Sequence, residues 1–190
     1  FVIMVNCQPC TTECTILDPP AWHMIALPGD LCGECEDGNL CCALADDLDP
    51  FFAFRYDPEV GGYVQIPPCD AVNYEGGMGF WVRTYDPMVQ VCADVKPVTA
   101  PRCVLLGDGW NQIGNPYTFA VRVADLSVEY QGQAVSLAEA AVNGWVSQYL
   151  FAYDAASGAY VMLDPQMGIL EPWMGVWMLA YVPLEVCIPD

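Results

Sequence analysis

Along residues 175–181, GVWMLAY, apolar side chains fill both alternation sets. Trp177, Leu179 and Tyr181 share one face, and Val176, Met178 and Ala180 share the other. A strand that is apolar on both faces is covered on both faces. Two readings fit. The segment is an interior strand of a sandwich, or one of its faces is buried by another subunit, with Met174 and Met178 in the contact. Residues 79–85, GFWVRTY, run in the same way but place Trp81, Arg83 and Tyr85 on one face. The segments FAYD and AYVM alternate around an AASG turn, and FRYD and GYVQ around PEVGG, so each pair predicts a hairpin. AVSLAEAAVNGW predicts a short helix, with Ser136 as N-cap, Glu139 three residues on, and Gly144 as the stop. NLCCALADDL is its counterpart, with Asn39 in the capping place.

These elements recur in order. AWHMIALP (21–28) matches GWNQIGNP (109–116), FRYDPEVGGYVQ (54–65) matches FAYDAASGAYVM (151–162), and YEGGMGFWVRTY (74–85) matches LEPWMGVWMLAY (170–181). The repeat pairs Trp22 with Trp110, Tyr56 with Tyr153, Gly79 with Gly175, and Trp81 with Trp177. The expected fold is therefore mainly β and disulfide-rich: two homologous sandwich- or barrel-like units in tandem with one short helix each. An N-terminal arm spans 1–13, unit one 14–95 with a Cys-rich insertion at 29–42, a linker 96–102, and unit two 103–190.

Charge narrows the partners. The chain carries 24 acidic and 5 basic side chains, a formal charge of −19, which repels nucleic-acid backbones and anionic membranes. Its 55% hydrophobic content argues against disorder, and no apolar run approaches the roughly 20 residues of a membrane helix. That much apolar surface calls for a large core or a subunit interface. The absence of an initiating Met, with 11 cysteines, points to a processed, exported product located outside the cell or on its surface after loss of a signal peptide.

Four segments, Trp110–Pro116, Val135–Trp145, Tyr153–Val161 and Leu170–Trp177, resemble a β-rich module found singly or in tandem in secreted multidomain bacterial proteins. The resemblance covers about 80 residues of unit two closely and unit one more loosely. It implies an accessory, surface or assembly role, with no catalytic chemistry attached. The position between Trp and Gly in PWxGxW is often basic in that module, and Met174 stands there in this chain.

Each unit opens and closes with a cysteine at matching places, which favours Cys14–Cys92 and Cys103–Cys187 bridges. A Cys92–Cys103 bond across the linker is the alternative. Seven cysteines remain: Cys7, Cys10, Cys32, Cys35, Cys41, Cys42 and Cys69. The odd number leaves at least one to pair with another chain, bind something or stay a thiol. Cys7, Cys10, Cys32 and Cys35 form a C-x2-C…C-x2-C pattern that could hold zinc, although its gap of 21 residues exceeds the usual ribbon spacing. Disulfides are the first expectation, with no cofactor. Calcium at Asp46, Asp47 and Asp49 lacks an EF-hand loop, and a solvated acidic patch is the simpler reading.

No catalytic constellation can be assembled, so no enzyme is expected. The one histidine, His23, aligns with Asn111 and reads as a surface or strand-edge residue. Because Trp22, Trp81, Trp110 and Trp177 recur at strand positions, they read as core. That leaves Trp145 and Trp173 as candidates to stack on a cell-surface glycan. The opening run Phe1, Val2, Ile3, Met4 and Val5 reads as an exposed strand able to pair with a sheet edge in its own chain or in the next copy. The leading expectation is a secreted subunit of a filament or surface layer, its partners being copies of itself. A monomeric carbohydrate- or protein-binding module and a zinc-stabilised module are the alternatives.

Overall fold

The computed structural model describes residues 9–35, 38–66 and 74–190. The arm residues Phe1 to Val5, Cys7 and Cys69 lie outside the described residues.

The protein is mainly β, with several antiparallel sheets, two short α-helices and four disulfides. The first half runs β1 (Thr11–Leu17), β2 (Trp22–Ile25), β3 (Asp30–Leu31), α1 (Leu40–Leu44), β4 (Ala53–Asp57), β5 (Gly62–Ile66), β6 (Phe80–Arg83) and β7 (Val89–Lys96). The second half starts with β8 (Arg102–Leu106), β9 (Gly109–Gly114), β10 (Val121–Arg122), β11 (Ser127–Tyr130), β12 (Gln133–Ser136) and α2 (Leu137–Val142). It ends with β13 (Val146–Asp154), β14 (Ala159–Leu163), β15 (Ile169–Leu170), β16 (Gly175–Ala180) and β17 (Leu184–Ile188). β1 takes in Thr11, Thr12 and Glu13, so the strand begins inside the predicted arm.

Two four-stranded sheets, ordered β2-β6-β4-β5 and β14-β13-β16-β9, carry the hairpins. Two further sheets, β1-β7-β3 and β12-β11-β17-β8, hold the first and last strands of each half. The segment that is apolar on both faces, β16, is interior, between β13 and β9. Met178 is fully buried in the chain's own second core and Met174 packs against that core, so neither is an exposed contact for another subunit.

Period-two alternation sorts each hairpin sheet into two faces. In the first, Ile25, Ala53, Ile66, Phe80 and Val82 point into one core, which α1 joins through Leu40 and Leu44. In the second, Ile113, Leu150, Val176, Met178 and Ala180 point into another, with Leu137 and Ala140 of α2. The opposite faces carry the aromatic residues. Both helices are capped as the sequence suggests. Asn39 accepts from Cys42 N at 3.1 Å and Ser136 Oγ from Glu139 N at 3.2 Å, each satisfying an otherwise orphan donor. Gly144 follows α2 at φ +72°, a conformation that favours glycine.

Cys14–Cys92 joins directly opposed residues of β1 and β7, and Cys103–Cys187 does the same for β8 and β17. Closing loops of 78 and 84 residues contributes about 4.5 kcal/mol each in the chain-entropy account.

Candidate functional site

The two aromatic faces meet. Chain segments cross between the hairpin sheets and hold them together by backbone hydrogen bonds. Ala26 N donates to Trp173 O (3.1 Å) and Gly79 N to Gln112 O (3.2 Å). Isolated bridges pair Ile25 with Met174 and Met78 with Ile113. The approach is close because it runs through small residues. A Cβ on Gly79 would lie 2.7 Å from Ile113 O, and one on Gly175 2.7 Å from Ile25 O. Ala26 meets Gly114 at the centre of this junction, where a Cβ on Gly114 would lie 2.1 Å from that of Ala26.

Beside the junction Trp81 and Trp177 pack with Met24 in a third buried cluster, and aromatic rings line the opening above it. Trp81 packs edge-on against Tyr153 (4.9 Å between centroids) and Trp177 against Tyr56 (5.1 Å). Trp22 meets Phe54 at 5.6 Å and Trp110 meets Phe151 at 5.8 Å. Tyr56 meets Tyr63 at 5.8 Å and Tyr153 meets Tyr160 at 5.3 Å. Each pair is the counterpart of another under the repeat alignment. Edge-to-face rings at these separations add about 0.5–1.5 kcal/mol per pair beyond simple burial.

The result is an open cleft of two adjoining pockets, about 390 and 490 Å³, within the size range of small-molecule sites. Trp22 and Phe54 border the first, Trp110 and Phe151 the second, and Tyr63 and Tyr160 line both. Trp81 and Trp177 form its floor at 7% exposure each, whereas Trp22 and Trp110 stand 37% and 40% exposed at its rims.

Polar groups in the cleft are few. Trp177 Nε1 donates to Tyr160 Oη at 3.3 Å. The equivalent donor, Trp81 Nε1, is buried and has no hydrogen-bond partner among the described residues, as is true of Gln112 Nε2. The Trp81 N–H acts on the neighbouring Tyr63 phenol, offsetting part of the rise in its pKa, without forming a hydrogen bond to it. Burial and the neighbouring Tyr160 phenol push the Tyr63 hydroxyl up to about 12, so it stays protonated at neutral pH. The residues lining the cleft include no carboxylate, histidine, lysine or arginine. Arg83 lies on that face, paired with Trp22 across β6 and β2 and set over the Tyr85 ring at 5.3 Å.

The sequence-derived stacking candidates fall elsewhere. Trp173 is buried in the first core at 6% exposure, so it presents no platform. Trp145 is half-buried, packed against the second core and the Tyr130 ring at 5.1 Å. Trp22 and Trp110, read from the repeat as core, are instead the exposed indoles. Recurrence marked a shared structural position, and that position faces the other sheet across an opening.

The four-thiolate zinc set is not formed. Cys10 is bonded to Cys32 and Cys35 to Cys42, which removes three of its thiols. Cys41 is buried beside them in α1. Among the described residues no group of three or more metal-ligating side chains could hold an ion, the Asp46, Asp47 and Asp49 stretch included. Asp47 instead accepts from Cys92 N at 2.7 Å.

His23 lies on the edge strand β2, in keeping with the strand-edge reading, but it is buried, contrary to the surface reading. Its Nε2 lies 3.0 Å from Pro19 O and 3.2 Å from Thr84 Oγ1, and burial lowers its pKa from 6.5. Asn111 does the equivalent work in the second half, with its side chain hydrogen-bonded to Gly107 and Gly109. Both residues tie down the turn entering their strand.

Comparison of the chain with protein-family models, with curated proteins and with solved structures finds no match.

Proposed function

We propose that the chain is a non-enzymatic extracellular binding module whose working surface is the aromatic cleft between its two hairpin sheets. The observation that carries this reading is the exposure of Trp22 and Trp110 on the rims of an opening floored by Trp81 and Trp177. Clustered indoles left open to water mark a surface that a partner covers. The setting agrees: four disulfides suit an oxidising, extracellular environment. No helix among the described residues is long and apolar enough to cross a membrane. The test is retention of the intact protein on cellulose, chitin, xylan, mannan, peptidoglycan and gelatin. Wild type is retained on at least one, and the Trp22→Ala/Trp110→Ala double variant is not. Flow-through on all of them, or equal retention of the variant, overturns the reading.

We further infer that the halves are homologous tandem units related by an approximate two-fold axis through the Ala26–Gly114 contact. The reciprocal ring pairs support this.

A second reading, assembly of copies, draws on one observation. β14 is an edge strand that exposes Tyr160, Val161 and Met162, and an uncovered apolar edge invites pairing with another chain. The donor would be the Phe1–Val5 arm of a neighbouring copy, building a filament or surface layer. Polymers lost on removal of residues 1–6 support it, and a monodisperse monomer of the intact chain at high concentration excludes it.

A further inference from the structure

We propose that the cleft takes a neutral glycan, stacked on the Trp22 and Trp110 indoles and hydrogen-bonded by one sugar hydroxyl to the Trp81 N–H. This rests on the binding-module reading and names its ligand.

The chemistry of the lining selects the class. No charged side chain is among the residues lining the cleft, the neighbouring Arg83 is held over the Tyr85 ring, and the chain carries a formal charge of −19, so uronates and other anionic polymers are repelled overall. A quaternary ammonium ion suits an aromatic cage, but here it would meet Arg83 at the Trp22 end and an indole N–H that needs an acceptor. What remains is a neutral ligand with flat C–H faces for the rings and hydroxyls that both donate and accept. The phenols of Tyr63 and Tyr160, exposed and shared by the two pockets, are likewise both donors and acceptors. A proline-rich peptide offers the apolar faces but only carbonyl acceptors along its backbone, leaving the phenols half-used.

The two halves of the cleft differ in one group, and that difference orients the ligand. On the Trp177 side the indole N–H is already capped by Tyr160. On the Trp81 side Tyr63, the counterpart of Tyr160, lies beside the indole without making that hydrogen bond; its ring sits 6.3 Å from that of Trp177, and the Trp81 N–H is left without an acceptor. An orphaned buried donor costs free energy until something accepts from it. Tyr63 is half exposed and at a rim, so turning its ring away opens the Trp81 N–H to a sugar oxygen, which then fills the place Tyr160 fills for Trp177. The Trp81 half becomes a hydrogen-bonding subsite and the Trp177 half a stacking subsite.

The experiment is calorimetric titration of the intact, oxidised protein with neutral hexasaccharides (β-1,4-glucan, xylan, mannan and chitin-type), with a polygalacturonate oligomer, a proline-rich decapeptide and choline as comparators. At least one neutral oligosaccharide binds, and the comparators do not. Trp81→Phe, which keeps the ring against Tyr153 and removes the donor, weakens binding by about 3- to 10-fold. Trp177→Phe changes it less than about 2-fold, because its N–H already has an acceptor. Should Trp81→Phe fail to fold, Trp22→Ala at the exposed rim serves, with a loss of about 10-fold or more. Binding of the peptide or of choline alone, lost in Trp22→Ala/Trp110→Ala, overturns the glycan and leaves the cleft standing as a binding site. Binding of nothing, or binding indifferent to Trp22 and Trp110, overturns both. Equal effects of Trp81→Phe and Trp177→Phe overturn the orientation.

Discussion

Gly114→Ala probes the junction on which the cleft depends. The added methyl would sit 2.1 Å from the Ala26 Cβ and 2.7 Å from Met174 O. Neither neighbour is the end of a flexible side chain. Ala26 is fully buried and its N–H is committed to Trp173 O, so relief requires the backbones of β2 and β9 to separate by more than an ångström. Overpacking of this kind costs about 1–3 kcal/mol, and a clash between two backbones belongs at the top of that range. For a chain of this length, about 3 kcal/mol lowers the melting temperature by roughly 6–12 °C. Ala26→Gly added to Gly114→Ala removes the methyl–methyl overlap and leaves the Met174 carbonyl contact. The double variant should therefore recover about 1 kcal/mol or more, as coupling in a double-mutant cycle. Gly62→Ala is the control: nothing lies within 4 Å of its Cβ, and the change stays within about 0.5 kcal/mol. The assay is thermal unfolding followed by near-UV circular dichroism under non-reducing conditions. A Gly114→Ala melt within about 1 °C of wild type, or no recovery in the double variant, would refute the junction and with it the mutual placement of the aromatic faces.

Other predictions follow from single groups. His23 has a folded-state pKa below 6.5 because burial disfavours its charge. Between the lowered value and 6.5 the unfolded chain binds the proton and the folded chain does not, so stability falls as pH drops below about 6.5. Melting temperatures from pH 8 to 5 should show this slope, and His23→Asn, copying Asn111, should flatten it. Removing the Cys103–Cys187 bridge with paired serines should cost about 4.5 kcal/mol by urea titration, the loss of loop-closure entropy for 84 residues. Ser136→Ala should cost about 0.5–2 kcal/mol by the same method, through loss of the cap on Glu139 N.

Much of the architecture was legible in the sequence, because local rules govern it. Alternation gave the hairpins, Ser136 and Asn39 gave the helix starts, and matched spacing paired Cys14 with Cys92 and Cys103 with Cys187. The site was misread for a physical reason. A Trp repeated on one strand face means that the face does the same thing twice, and either burial or shared exposure satisfies that. Deciding between them requires knowing that the two faces turn toward each other. That knowledge resides in Gly79, Gly114 and Gly175, whose missing side chains let the sheets touch. Trp173 misled in the opposite way. Lacking a partner in the first half, it read as a surface residue, yet it fills the first core from the second half of the chain. His23 gave no signal of burial, because its contact with Thr84 forms only once β2 and β6 pair.

We propose the cleft as the working surface, and fluorine NMR on protein labelled with 5-fluorotryptophan tests this assignment directly. Its six tryptophans give separable signals, assigned by single substitution to phenylalanine. On titration with the neutral hexasaccharide that binds best, saturable shifts are expected at Trp22, Trp81 and Trp110, with Trp145 and Trp173 unmoved. Shifts confined to Trp145 and Trp173, or no saturable shift at any tryptophan, would contradict it.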